Sequence, residues 1–324
     1  MIHSLKLLLL LSLTLFSMAH AAQSIEAQKA DKSLLLDIAK LPEDKLVAVG
    51  ERGHVLLSDN QGKSWRQVIT PTRSTLTAVT FVDDKIGFAV GHQQVIIKTA
   101  DGGETWELQF ENSEDIYYPA LFDVWFSDAE KGIAVGAYGL YLSTNDGGEN
   151  WEFVDQESLG DPDFGLPHFY SLDYDSKKNR LYMAGELGFL AVSEDLGENW
   201  ESLESPYEGS FFNVGVTPSG SLQVMGLRGH LFRSADDGES WEEIETNSIA
   251  SINNMLSIGG SQLAYFSVDG VMLFSNDDGM SVKSVQTVDR NGLMNGVKTG
   301  INTLVVVGAK GIDRFDMSGQ KIIQ

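Results

Sequence analysis

One phrase, Ser/Thr-x-Asp-x-Gly-x-x-Trp, recurs along this chain and limits its fold more than any other feature. Its fullest copy is Thr99-Ala100-Asp101-Gly102-Gly103-Glu104-Thr105-Trp106. Other copies end at Trp65, Trp151, Trp200 and Trp241, with Asn60, Asp146, Asp195 and Asp236 at the Asp position. A sixth keeps Asp277 and has Val282 in place of Trp. Fifteen residues before each terminal position, an apolar run ends at Gly50, Gly91, Gly136, Gly185, Gly226 or, in the sixth copy, Ser267. Gly308 closes a seventh run. Counting back fifteen more reaches Leu35, Leu76, Leu121, Tyr170, Phe211, Ile252 and Leu293, with no gap in any unit. Length variation then falls only between units: 11 residues in four cases, 15 after Trp106 and 19 after Trp151. A rigid unit with one variable connection marks a stacked supersecondary repeat.

Each unit reads as four short strands. In the second, residues 76–81 alternate, 87–90 and 95–98 are short apolar runs, and 106–110 alternate again. Turn residues Asp83-Asp84, Gly91 and Asp101-Gly102-Gly103 separate them, and helical periodicity is absent after the leader. Seven such units predict an all-β fold, a seven-bladed β-propeller of four-stranded blades. The last unit reaches its Trp position at Ile323, so its outer strand is short. Residues 24–28 stand where an outer strand should begin and are expected to complete the last blade from the other terminus. The alternative is a stub formed by residues 321–324 alone.

His3 and Lys6 precede an apolar run from Leu7 to Phe16, and Ala19 and Ala21 form an A-x-A pattern. Residues 1–21 therefore read as a cleaved signal peptide and 22–324 as the propeller, exported to a periplasm. Cysteine is absent, which excludes disulfides, thiolate metal sites, a Cys nucleophile and a lipid anchor on Cys. With 46 Asp+Glu against 23 Lys+Arg, the net charge is −23, which disfavours nucleic acid as a partner.

The recurring phrase is the Asp-box, or BNR repeat. Its hydroxyl and carboxylate are expected to accept backbone N–H groups within the turn between third and fourth strands. Gly supplies the turn geometry, and the Trp packs beside the neighbouring blade. Trp65, Asp101, Trp106, Asp146, Trp151, Asp195, Trp200, Asp236, Trp241 and Asp277 are thus expected to be structural. Combined with the apolar-Gly-x-x-Gly turn, as in Val49-Gly50-Glu51-Arg52-Gly53, the pattern resembles the photosystem II stability/assembly-factor-like propellers. The resemblance covers residues 24–324. It implies a non-enzymatic exported assembly factor that docks on a membrane protein complex. Relatives in non-photosynthetic bacteria are associated with resistance-nodulation-division exporters, so an accessory transporter subunit is an alternative. Photosynthetic members carry an arginine-rich patch. Here the second residue after each turn Gly reads Arg52, Gln93, Tyr138, Leu187, Arg228, Asp269 and Lys310, only three of them basic.

Asp-boxes also occur in sialidases, which keeps a glycoside hydrolase as the enzyme alternative. Against it stand seven units instead of six and no Arg-Ile-Pro phrase. No nucleophile elbow, phosphate loop or metal-ligand spacing is present, so no cofactor and no metal are expected. His54 and His230 share a repeat position that is elsewhere apolar, and are expected to be packed. The turns after the second strands and the connections between blades should open on one face. Both long connections, 111–120 and 155–169, enlarge it. Partner contacts are therefore expected at Arg52, Tyr138, Arg228 and Lys310 in the turns, and at Tyr117, Tyr118 and Phe164 in the insertions. The protein is expected to act as a monomer.

Overall fold

A computed structural model describes residues 22–112, 119–160 and 165–322. Among them the chain forms seven consecutive antiparallel sheets, six of four strands and a last of three. Each strand pairs with its sequence neighbours, so every sheet is a meander and every blade one repeat. No α-helix occurs among the described residues. The second blade shows the pattern, with strands Leu76–Phe81, Gly87–Gly91, Ile96–Thr99 and Glu107–Phe110.

The second strand is buried from end to end in blade 2, because blades cover both of its faces. Alternate side chains of one strand therefore enter two different cores. Ala89 and Ile97 pack with Val47, Val49 and Leu57 of the first blade. Phe88, Val90 and Ile96 pack with Leu121, Ala134 and Leu142 of the third. Seven such apolar clusters, one at each blade junction, hold the ring.

The Asp-boxes are built as their residue types require. Thr99 Oγ1 accepts from Gly103 N (2.9 Å) and donates to Asp101 Oδ1 (2.8 Å), which also accepts from Thr105 N (2.9 Å). The Trp106 indole donates to Gly103 O at 3.1 Å and its ring, 6% exposed, joins the core shared with blade 1. Asn60 does the work of Asp in the first copy, accepting from Ser64 N at 3.0 Å.

Two expectations need correction. Blade 4 starts one residue earlier than an ungapped repeat demands. Phe169, not Tyr170, pairs with Gly185, as Leu76 pairs with Gly91. The extra residue extends the first hairpin by an Asp175–Arg180 pair. Phe169 is fully buried, so burying this wholly apolar side chain in place of a tyrosine hydroxyl sets the register and turns Tyr170 to the channel.

Residues 24–28 do not complete blade 7. Ser24 N donates to Thr70 O (2.9 Å), and Ser24 Oγ accepts from Thr70 N (2.9 Å). The segment thus lies along the outer edge of blade 1. Blade 7 receives the stub instead: Lys321 bridges to Phe315, and Ile322 N donates to Arg314 O at 2.8 Å. A tight turn returns the chain directly onto the strand it has just left, with Asp316 Oδ1 accepting from Ser318 N and Gln320 N. Ile323 lies outside the described residues. The ring closes by ordinary blade packing, Val297, Val305 and Val307 against Leu35, Leu46 and Ala48.

Candidate functional site

In six blades the turn after the second strand is a single 3-10 turn whose middle residue has positive φ, 58° at Arg52 and 57° at Tyr138. That geometry pushes the residue's side chain out, and Arg52, Tyr138, Leu187 and Arg228 are all exposed. The turn also abuts the start of its own blade. His92 N donates to Thr75 O at 2.9 Å, and a Cβ on Gly91 would lie 2.0 Å from that oxygen, so only glycine fits. Blade 7 differs: Gly308 and Gly311 are joined by Ala309 and Lys310 alone, with Lys310 exposed.

Turns and inter-blade connections do share one face. Gly139 N donates to Pro167 O at 2.8 Å, which ties the third turn to the 155–169 connection. Arg52, Tyr138, Arg228 and Lys310 sit on this face in blades 1, 3, 5 and 7. Only Lys310 and Arg52 belong to adjacent blades, across the ring closure. Arg228 borders an open depression of about 660 Å³ with His230, Glu243 and Ile249, the last 90% exposed. Tyr117, Tyr118 and Phe164 lie outside the described residues. The acidic loop residues Glu114, Asp115, Asp161 and Asp163 do so too.

The sequence reading missed the centre of this face. The first strand of each blade lines the central channel, and its second residue points into the mouth: Leu36, Thr77, Phe122, Tyr170, Phe212, Asn253 and Met294. The mouth is a cavity of about 380 Å³. Its wall from blades 3 to 5 is aromatic. Phe122 and Tyr170 lie 5.4 Å apart between centroids, and Tyr170 and Phe212 5.6 Å. His168 is 6.1 Å from Phe122 and 4.4 Å from Tyr138, so the aromatic arc runs from the channel to an exposed turn tip.

One residue further along, each first strand bulges, and the third position is polar in six blades: Asp37, Asp123, Ser171, Asn213, Asn254 and Asn295, with Ala78 in blade 2. Several of these groups staple neighbouring blades. Asp37 accepts from Val79 N of blade 2 (2.7 Å) and from the Asn295 amide of blade 7. Asp123 accepts from Leu172 N of blade 4 (2.8 Å), and Asp173, two residues beyond the third position of blade 4, makes a similar joint by accepting from Val216 N of blade 5 (2.7 Å). Removal from water raises all three carboxyls, Asp123 to about 7 and Asp173 to about 6. The charge of Asp37 adds to the rise at Asp123.

Perturbed carboxyls in a cavity can mark acid–base chemistry. Here both oxygens of Asp123 accept backbone N–H groups, from Val124 and Leu172, and both of Asp173 do the same with Tyr174 and Val216. Such carboxylates are joints between blades. Of the two packed histidines, His54 is 2% exposed, and burial lowers its pKa. His230 is half-buried, 4.3 Å from Tyr207 between centroids, with Nδ1 2.7 Å from Glu243. Among the described residues no three His, Asp or Glu side chains converge as metal ligands, and no helix is long and apolar enough to cross a membrane.

Comparison with known proteins bears on this arrangement in two ways. In fold, the chain is similar to a structure titled "YCF48 bound to D1 peptide", with TM-score 0.69 and 19% identity over 90% of this chain and 94% of that one. The GH74 xyloglucanase of Xanthomonas campestris fits equally well, with TM-score 0.69 and 12% identity over 88% of this chain and 52% of that one. The fold alone therefore does not separate a binding protein from a hydrolase. In sequence, the chloroplastic photosystem II stability/assembly factor HCF136 of Cyanidioschyzon merolae is 42% identical over 57 residues. That stretch is 17% of this chain and 13% of that relative. The family described as photosynthesis system II assembly factor YCF48 matches residues 57–119 and 109–271, together about two thirds of the chain. With the Asp-box and apolar-Gly-x-x-Gly units running through that span, the chain belongs to the YCF48 photosystem II assembly factor family.

Proposed function

We propose that this propeller is an exported, non-catalytic platform that holds a segment of a membrane protein complex on its turn face. One observation carries the reading: the aromatic arc Tyr138–His168–Phe122–Tyr170–Phe212 joins the channel mouth to the longest inter-blade connection. Aromatic side chains gathered on a rigid scaffold are the residue types that anchor interfaces. Leu187, 59% exposed at the next turn tip, extends the apolar side. Arg52 and Lys310 give the opposite rim polar reach, Arg228 flanks the arc in blade 5, and Tyr117, Tyr118 and Phe164 belong to the two long connections.

A family relative solved with a D1 peptide supports peptide binding as the mode of action. The leader at residues 1–21 supports export, with residues 22–324 as the working domain. The doubly occupied channel carboxylates argue against catalysis. The test is capture from detergent-solubilised membranes with the mature protein as bait. Wild type should retain a membrane protein, and Tyr138→Ala with Leu187→Ser should lose most of it at an unchanged melting temperature. Undiminished capture would remove this arc from the site. Turnover of model glycosides by wild type would replace the platform with an enzyme.

A further inference from the structure

The channel mouth has a chemistry distinct from the turn tips. Its lining joins an aromatic wall to the carboxyl groups of Asp37 and Asp123, and among the described residues no Lys or Arg lines it, His92 being the single basic-type group there. The carboxyl groups have their hydrogen bonds from the N–H groups of Ile38, Val79, Val124 and Leu172 and from the Asn295 amide, none from a cationic side chain. Above about pH 7, where Asp123 is ionised, its negative field is therefore not cancelled inside the site. Apolar rings exclude water from such a field and present π-faces that attract cations. The remaining second-position side chains, Leu36, Thr77, Asn253 and Met294, are short or flexible and uncharged, and leave the cavity open to the turn face.

We propose that the mouth receives one basic side chain, Lys or Arg, from an extended peptide segment of the partner, with apolar residues beside it lying on the aromatic arc. This rests on the platform reading and specifies the chemistry of its ligand. Phe122, Tyr170 and Phe212 make the contact, and Asp123 supplies the field. The volume of about 380 Å³ suits one long side chain and leaves the peptide backbone outside. Charge complementarity chooses this occupant: the lining repels a carboxylate, and a purely apolar residue would leave the field unanswered.

The experiment uses three capped peptides, acetyl-Phe-Lys-Phe-amide and its norleucine and glutamate counterparts, titrated calorimetrically into the mature protein at pH 8 and low salt. The lysine peptide should bind at least tenfold more tightly than the norleucine peptide, and the glutamate peptide should not bind. Raising salt to 0.5 M should weaken the lysine peptide alone. Tyr170→Leu and Phe212→Leu keep apolar bulk and remove the π-face, so each should cut lysine-peptide affinity severalfold at an unchanged melt. Asp123→Asn should do the same. If that variant fails to fold, the two aromatic variants and the salt series still decide. Equal affinity for lysine and norleucine peptides overturns the inference. So does the absence of binding by all three. Membrane capture by the same preparation tells these outcomes from a failure of the platform itself, since capture without lysine preference leaves the platform standing.

Discussion

Asp236 and Asp123 carry the same carboxyl in opposite settings. Asp236 sits in an Asp-box, where the hydroxyls of Ser240 and Ser234 and the Ser240 N–H hold it down to about 2. Asp123 sits in the channel wall, where loss of water outweighs its two N–H donors and pushes it up to about 7. The stability that Asp236 contributes is present above the ordinary value of 3.8 and is lost as pH falls through about 2. For Asp123 the sign reverses: its contribution is full below 3.8 and is lost as pH rises through about 7. Carboxyl-carbon NMR should give midpoints near those two values, and a midpoint near 4 for Asp123 would contradict its burial. Trp106→Ala should destabilise by about 3–5 kcal/mol, because the ring fills a core between two blades. Trp241 is only half-buried, so the same change there should cost distinctly less in a denaturant titration. The box residues were legible in the sequence because a fixed spacing repeats them. The channel residues were not, because any Asp among 46 acidic residues looks alike without a register. The error in blade 4 hid the pattern further, placing Leu172 where Ser171 belongs.

At the scale of elements, strand number and turn type followed from the repeat, while two connections did not. The first hairpin of blade 4 absorbs one residue as an added pair, Asp175 with Arg180. Periodicity cannot locate such an insertion when both Phe169 and Tyr170 are aromatic, and only burial of Phe169 decides it. The 155–169 connection is also more than an exposed loop. Its 3-10 turn Glu157–Leu159 buries Leu159, 6% exposed, in the core of blades 3 and 4. Leu159→Ala should therefore cost about 2–4 kcal/mol, the range for truncating a buried leucine. Shortening this connection to the common spacing would remove that anchor as well as the candidate partner surface. A melt of the point variant separates the two effects: an unchanged midpoint would mean that the loop is not anchored through Leu159.

For the molecule as a whole, the ring closes through packing and the Asp37–Asn295 contact between blades 1 and 7, with the N-terminal segment laid on blade 1. Deleting residues 22–28 should thus leave a single cooperative melt, shifted by a few degrees. A strand completing blade 7 from the N-terminus would make the same deletion open the ring, and a broad or biphasic melt would reveal it. Seven blades place every second-strand turn and the described ends of both long connections on one face and the six boxes on the other, which makes the working face directly testable. A photo-crosslinking phenylalanine analogue placed at Leu187 reports on the turn face, and the same analogue at Glu149 reports on the box face. Illuminated in cells, the Leu187 position should yield an adduct with a membrane protein and the Glu149 position none. Adducts from Glu149 alone, or from neither position while the protein is folded and exported, would contradict the account of this propeller as a turn-face platform.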